Sequence, residues 1–391
     1  MRVAFTLIGG KDWTGGNNYL LNLLNVLGQY QKDRLTSVLF VGEACAEEDV
    51  ASFAAIPGVE LVRTPLLNLS RRTASLIQAM LLGRDIALLR LLQTHRINVV
   101  FESAQFFGWR LGIPAIAWIP DFQHKVLPHL FSRSAWWKRE IGFRAQVMGG
   151  RAIMLSSDTV RRACEQYYPS THGRTRTVHF AVPPGPRIPY SEARVIADLY
   201  GLPEHFFFMP NQFWRHKNHG LVLEALAILR ERGRQIVVAA SGKQADPRDP
   251  GYFSTFQGRL EQRGLQNAFR LLGMIPYPHL ASLMRASTAM LNPSLFEGWS
   301  TTVEEAKAMG SPMLLSDIDV HREQMGEAAI YFDRHSAQSL ADALDAFVPL
   351  SELQRELRVD AARGAALQRV GQFAQDFVDL AGHCQPGSGY P

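Results

Sequence analysis

The chain has 391 residues, 47% of them hydrophobic and 20% charged, an ordinary globular composition that excludes global disorder and suits two domains better than one core. Three scattered cysteines, Cys45, Cys164 and Cys384, exclude a disulfide framework and a Cys/His zinc site and fit a reducing compartment. The net charge of +5 is uneven: residues 1–185 hold 21 Lys+Arg against 13 Asp+Glu, whereas residues 186–391 hold 20 against 23. A basic first half suits an anionic partner such as a membrane surface or a phosphorylated acceptor. It carries no recognised nucleic-acid-binding module, so nucleic acid is not an expected partner.

Taken in chain order, the N-terminal MRVAFTLIGG reads as a first buried strand rather than a signal peptide. No window of about 20 residues is apolar enough to span a membrane. VAFTLI (3–8), SVLFVG (37–42), VELVR (59–63), INVVFE (97–102), AIAWIP (115–120) and AIMLSS (152–157) read as buried strands. Between them, residues 19–30 and the stretch around Ala74–Leu92 have helical spacing, so βαβ units and a parallel sheet follow. AVPPGPRIPY (181–190) is the Pro/Gly-dense break that marks a domain boundary. A second alternating set follows, with strands FFFMP (206–210), QIVVAAS (235–241), FRLLG (269–273), TAMLNPS (288–294), SPMLLSD (311–317) and AIYFD (329–333). Helices are expected to begin near Gly220, Tyr277, Thr301 and Ser336, and residues 351–382 read as helical throughout, ahead of a disordered tail, CQPGSGYP. Open parallel sheets bind ligands at the carboxyl ends of their strands, which makes a cleft between the two domains the default site.

Five segments carry chemistry-bearing residues. LIGGKDWTGGNNYLLNLL (7–24) is a glycine-rich loop before a helix, neither a dinucleotide fingerprint nor a P-loop; Gly15 and Gly16 permit close backbone approach, and Asn17 and Asn18 are candidate sugar or acceptor contacts. In AWIPDFQHKVLPHLF (117–131), Asp121 and His124 follow the end of a strand. Trp136, Trp137, Lys138, Arg139 and Arg144, expected on one helix with Phe131, form an aromatic and cationic stretch that either docks at a membrane or packs its rings inward. In FFFMPNQFWRHKNHGLVLEALAIL (206–229), Lys217 stands between a strand end and a helix start, where it can neutralise phosphates.

The fifth segment, PSLFEGWSTTVEEAKAMGSPMLLSD (293–317), places Glu297 in a loop and Glu305 eight residues on, about one turn into a helix. Thr301 with Glu304 and Thr302 with Glu305 match capping boxes, so amides from Gly298 to Val303 are expected to face a diphosphate. Glu297 can accept hydrogen bonds from sugar hydroxyls and Glu305 from a ribose diol. Asp317-Ile-Asp319 is formally a D-x-D metal motif, but it follows a strand of this α/β domain and reads as coincidence.

This last segment resembles the E-x7-E signature of retaining GT-B glycosyltransferases of the family-4 type (glycosyl transferases group 1), with Trp299 where that family often has Phe. The Lys217 segment resembles the family's Gly-Arg-Leu-x-x-x-Lys-Gly. Asn211 and Gln212 replace its Gly and Arg, which leaves Arg215 as the candidate second cation. Gly15 and Gly16 resemble the family's paired glycines. Asp121 takes the Asp place of its His-Asp pair, with Pro120 in the His place and His124 as the candidate substitute. Residues 316–333 also resemble the family, with Glu323 near its final acidic position.

The resemblance implies an α/β GT-B fold of two Rossmann-like domains with parallel sheets facing across a cleft. Residues 1–185 would form the acceptor-binding domain and 186–365 the nucleotide-sugar-binding domain, with 366–391 a helix crossing back to the first domain plus the tail. It implies a retaining, metal-independent and cofactor-free transfer of a hexose or deoxyhexose from a nucleotide-sugar to a glycan or polyprenyl-linked acceptor. The setting would be surface-polysaccharide or O-antigen-like biosynthesis, in the cytoplasm with peripheral contact to an anionic inner-membrane surface. Catalytic roles fall to Glu297, Lys217, Asp121 and His124. Donor contacts fall to Gly15, Gly16, Arg215, Lys217, Glu297, Gly298, Trp299, Ser300, Thr301 and Glu305, and acceptor contacts to Asn17, Asn18 and His124. Two other readings share the architecture or the missing Arg: a nucleotide-sugar 2-epimerase, and a catalytically silent nucleotide-sugar-binding scaffold.

Overall fold

A computed structural model describes residues 1–7, 14–103 and 106–384. They form two compact units. The first takes residues 1–124, 133–181 and 368 onward; the second takes 125–132 and 182–367.

The first unit holds β1 (Arg2–Thr6), β2 (Thr36–Gly42), β3 (Val59–Thr64), β4 (Val99–Ser103), β5 (Ala115–Ile119), β6 (Ala152–Leu155) and β7 (Thr175–Thr177). All pairs are parallel, in the order β3-β2-β1-β4-β5-β6-β7. The apolar runs seen in the sequence are the strand interiors: Val38, Leu39, Phe40 and Val41 are fully buried because helices cover both faces of a parallel sheet. β7 was not expected, since Thr-Arg-Thr has no apolar run; it is held by main-chain pairing to β6, with Ile153 opposite Thr175. Right-handed crossovers put the helices after β1 and β2 on one face and those after β3, β5 and β6 on the other. The later part of the long helix Glu352–His383 belongs to this unit, where Phe377 stacks on Phe5 (5.8 Å) and Phe373 meets Phe180 (5.6 Å).

The second unit holds β8 (Phe207–Met209), β9 (Val238–Ser241), β10 (Phe269–Gly273), β11 (Ala289–Asn292), β12 (Met313–Ser316) and β13 (Ile330–Phe332). They lie parallel in the order β10-β9-β8-β11-β12-β13, with apolar clusters on both faces. In each sheet the order reverses beside its first strand, between β1 and β4 and between β8 and β11. Such reversals open a crevice at the strands' carboxyl ends. In the first unit, residues 8–13 and 104–105 of those connections lie outside the described residues, so the glycine-rich segment is followed only from Thr14. There the helix Thr14–Tyr30 already includes Gly15 and Gly16, which corrects the expectation that both precede it. The expected disordered tail from 385 also lies outside the described residues.

Candidate active site

β8 and β11 are neighbours, so the loops that leave their carboxyl ends meet although 80 residues separate them. The first loop runs to a single turn, Arg215–Lys217, and then to Asn218, whose φ of 60° is a left-handed conformation that Asn tolerates better than most residues. This turn is tied to the second loop twice: the Leu295 N–H donates to the His216 carbonyl at 2.8 Å, and the Asn218 amide donates to the carbonyls of Pro293 (3.2 Å) and Arg334 (2.9 Å). Gly242, at φ 139°, ends β9 against the Asn211 carbonyl, which a Cβ would meet at 2.7 Å; only glycine lets the first loop lie this close.

Lys217 and Glu297 are brought together. The Lys217 ammonium donates to Glu297 Oε1 at 2.5 Å, with side chains 17% and 10% exposed. Neutral groups hold the carboxylate's loop. The Ser294 hydroxyl lies 2.6 Å from both Glu297 Oε1 and Asn292 Oδ1 and can donate to one at a time. The Ser316 hydroxyl donates to the Ser294 carbonyl at 2.6 Å, and His321 Nδ1 sits 2.9 Å from the Ser316 carbonyl. Burial pushes the His321 imidazole down to about 4, so its Nδ1 donates as a neutral ring.

Ser300 is the N-cap of the helix Thr301–Ala308, but neither expected capping box forms. Its hydroxyl accepts from the Asn292 amide (3.0 Å) and touches the Thr302 hydroxyl (3.1 Å). Gln324 instead grips this end: its Oε1 accepts the Ser300 N–H (3.1 Å), and its Nε2 donates to the Ser300 carbonyl (3.1 Å) and to Glu304 (3.2 Å). The Ser300 amide is therefore spent inside the protein, while those of Thr301, Thr302 and Val303 have no intrahelical carbonyl to reach. Gly298 and Trp299 lie in the loop between Glu297 and the cap. Glu305 is half-buried one turn on, and burial raises its carboxyl to about 7. It lines a cavity of about 70 Å³ with Pro183, Pro186, Tyr277 and Arg363. A larger cavity, about 660 Å³, lies against Asn218, Gly220 and Leu295, the sequence neighbours of the Lys217–Glu297 pair, with further walls from Leu127, His129 and Arg334. Its volume falls within the ~300–1,000 Å³ range of small-molecule sites.

Arg215 is not gathered into this group. Its guanidinium is exposed and pairs with Asp249 at 3.2 Å. The cation beside the turn is one that the sequence reading passed over, Arg248, which lies over the Trp214 ring (4.6 Å) and donates to His216 Nδ1 (3.2 Å). Burial, then Lys217 and Arg248, hold the His216 imidazole well below its usual range, so it accepts as a neutral ring. Arg248 follows a β-strand end in an Asp-Pro-Arg-Asp-Pro run, a turn signal that carries no hint of this contact. Asp317 forms a two-pronged ion pair with Arg322 (2.6 and 3.0 Å).

In the first unit, Asp121 Oδ1 accepts the Gln123 N–H (2.7 Å) and the Arg139 guanidinium (2.5 Å). His124, expected on an open loop as a catalytic and acceptor contact, is instead fully buried in the short helix Gln123–Val126. Its Nε2 meets Glu140 at 3.2 Å, Glu140 also accepts from Tyr168 (2.8 Å) and Arg144 (2.7 Å), and the Trp136 indole donates to the His124 carbonyl at 2.7 Å. This network encloses the His124 side chain within the first unit. The helix Arg133–Met148 thus turns Trp136 and Arg139 inward and leaves Trp137, Lys138 and Arg144 exposed; Phe131 precedes it and is not part of it. Asn17 is half-buried and Asn18 exposed on the first helix.

Residues 201–363 match the family model "Glycosyl transferases group 1". The chain is 28% identical over 117 residues to the O-antigen chain mannosyltransferase B of Escherichia coli, covering 30% of this chain and 29% of that protein. It is 26% identical over 155 residues to a D-inositol 3-phosphate glycosyltransferase of Jonesia denitrificans, covering 38% and 36%. The matches thus span about a third of each curated relative's length. Among solved structures, a glycosyltransferase from Rickettsia africae superposes with a TM-score of 0.72 at 14% identity over 99% of this chain and 98% of that one. Anabaena HepE in complex with UDP and glucose gives 0.70 at 16% identity over 97% and 98%. These likenesses show the fold, a GT-B pair of parallel-sheet α/β domains.

Proposed function

We propose that the chain is a retaining glycosyltransferase that moves a hexose or deoxyhexose from a nucleotide-diphosphate sugar to a glycan or lipid-linked acceptor in surface-polysaccharide assembly. The observation that carries this reading is the Lys217–Glu297 pair, held where the strand order reverses in the domain that matches the family model. The solved likeness that holds UDP and glucose supports a diphosphate sugar as donor, and the mannosyltransferase relative supports a polysaccharide setting.

In this reading the donor diphosphate lies against the Lys217 ammonium and the first-turn amides of the helix Thr301–Ala308, which stabilise the negative charge that develops as it leaves. Glu297 is released from Lys217 to accept hydrogen bonds from the donor sugar, and Glu305 accepts from the ribose diol. The acceptor hydroxyl attacks C1 on the face from which the diphosphate departs. The C1–O bond to the diphosphate breaks, the C1–O bond to the acceptor forms, and the acceptor proton leaves on the diphosphate oxygen. The cavity against Asn218 and Leu295 gives room for the sugar. The reaction takes place in the cytoplasm and needs no metal, since Lys217 and the amides supply the positive charge and Asp317 is engaged by Arg322.

The test is a thermal-shift screen of wild type and Glu305→Ala with UDP, GDP, dTDP, ADP and CMP, in EDTA and in magnesium. One nucleotide at about 100 times its dissociation constant stabilises wild type by roughly 2.7 kcal/mol, loses that effect in the variant and acts equally in EDTA. No shift with any nucleotide overturns the reading. With the nucleotide known, NMR of the product shows a retained anomeric configuration; an inverted one refutes front-face transfer, and epimer formed without acceptor points to a 2-epimerase.

A further inference from the structure

The larger cavity has walls of two kinds, all from the second unit. Val126, Leu127, Leu221 and Leu295 give it apolar surface. Arg259, Arg334, His129 and His335 give it basic groups, and among the described residues its one carboxylate is Glu224. That carboxylate is answered twice, by Arg259 and, at 2.8 Å, by Arg263. Two guanidinium groups on one carboxylate leave positive charge in excess. Arg259 also reaches the start of the helix His219–Glu231: its Nη1 lies 3.6 Å from where a Cβ on Gly220 would stand.

Arg334 is held by neutral groups. It follows the end of β13 and is half-buried. Its Nη1 donates to the Asp317 carbonyl (2.9 Å) and its Nε to His335 Nε2 (3.2 Å), and these two bonds fix the plane of the guanidinium. Among the described residues Arg334 has no ion pair, and its Nη2 has no hydrogen-bond partner. The carboxylates closest in sequence are engaged: Asp317 pairs with Arg322, and Asp333 accepts the His335 N–H at 2.8 Å. The Arg334 carbonyl accepts from the Asn218 amide, so this loop is tied to the turn that carries Lys217. A guanidinium anchored by neutral acceptors keeps its charge for an anion, and its planar fork suits a carboxylate or a phosphate.

We propose that the cavity receives an acidic sugar of the acceptor, a ring that carries a carboxylate or a phosphate. The inference rests on the transferase reading in one step. An acceptor hydroxyl that attacks C1 of the donor sugar must stand beside that sugar, and the cavity reaches the sequence neighbours of Lys217 and Glu297 at Asn218 and Leu295. The apolar wall meets the C–H face of the ring, and Arg334, with Arg259 near Gly220, meets the acid. A neutral ring would withdraw the Arg334 charge from water and leave it unpaired, so selection works through what the missing acid costs. Lys217 keeps a separate task, at the donor diphosphate.

The experiment is titration of the full chain with methyl glucuronide, glucose 6-phosphate and neutral methyl glucoside, read by saturation-transfer NMR. At least one of the two acids binds about tenfold more tightly than methyl glucoside; the glucuronide marks a carboxylate-bearing acceptor and the phosphate a phosphorylated one. Arg334→Gln removes that preference and leaves the melting temperature and the binding of methyl glucoside unchanged. Arg334→Lys, which keeps the charge, retains most of the preference and so separates loss of charge from loss of fold. Binding of neither acid, or equal binding of all three sugars, overturns the proposal. So does a preference that survives Arg334→Gln, and one lost in Lys217→Ala alone, which places the anion at the diphosphate. The two readings fail separately: a wild type that binds no nucleotide refutes the transferase, whereas a nucleotide shift without any preference for acid refutes only the acidic acceptor.

Discussion

The loop after β5 in the first unit and the loops after β8 and β11 in the second all carry acid and base groups at the carboxyl ends of parallel strands, yet they use them differently. After β5, the ionisable groups are held by one another: one helix supplies Arg139 to Asp121 and Glu140 to His124, and the imidazole is sealed from solvent. After β8 and β11, the backbone is held by neutral groups, the Asn218 and Gln324 amides and the Ser294 and Ser316 hydroxyls. Among the described residues, that leaves Lys217 and Glu297 ion-paired with each other and still partly open. Charges spent on the scaffold set a loop; charges set by neutral neighbours remain available for exchange with a ligand.

The comparison can be broken most severely at Glu140. Its replacement by Ala strips an acceptor from His124 and Tyr168 in a sealed site, and is expected to cost about 3–5 kcal/mol in urea denaturation. An unchanged midpoint would mean that this loop is not scaffold. Lys217→Ala should do the reverse, lowering kcat by about 10²–10³-fold with the melting temperature unmoved. A loss of stability in place of a loss of rate would place Lys217 with the scaffold.

Glu305 sharpens the contrast through pH. Its folded carboxyl titrates near 7 against 4.5 when unfolded. The native state therefore holds a proton that the unfolded chain has lost, so this group's contribution is fully present below about 4.5 and fades as pH rises through 7. The total is up to roughly 3 kcal/mol. Glu305→Gln should remove that slope and be the more stable form at pH 8, with no gain at pH 4; parallel pH profiles would show that the carboxyl is not poised as described.

The sheets were legible because parallel strands buried on both faces leave continuous apolar runs, and the runs at SVLFVG and FRLLG became β2 and β10 almost residue for residue. β7 left no such trace, since Thr-Arg-Thr has no apolar run. In the site, the spacing of Glu297 and Glu305 around a helix start could be read, because a cap and a turn are local. What holds them could not: Gln324 lies 24 residues from Ser300, and Arg248 lies 32 from His216. Long-range side-chain contacts follow no local period. The burial of His124 was not legible for the same reason, as its ring meets a carboxylate 16 residues away.

The long helix Glu352–His383 has a consequence for how the molecule is born. Phe373 and Phe377 complete the aromatic packing around Phe5, Tyr19 and Phe180, yet they leave the ribosome after every residue of the second unit. At ~5–20 residues per second, the interval between Ala181 and His383 is about 10–40 s. Throughout it the nascent first unit waits with its last hydrophobic seam open, while the second can close its own. The half that is made first is the half that finishes last.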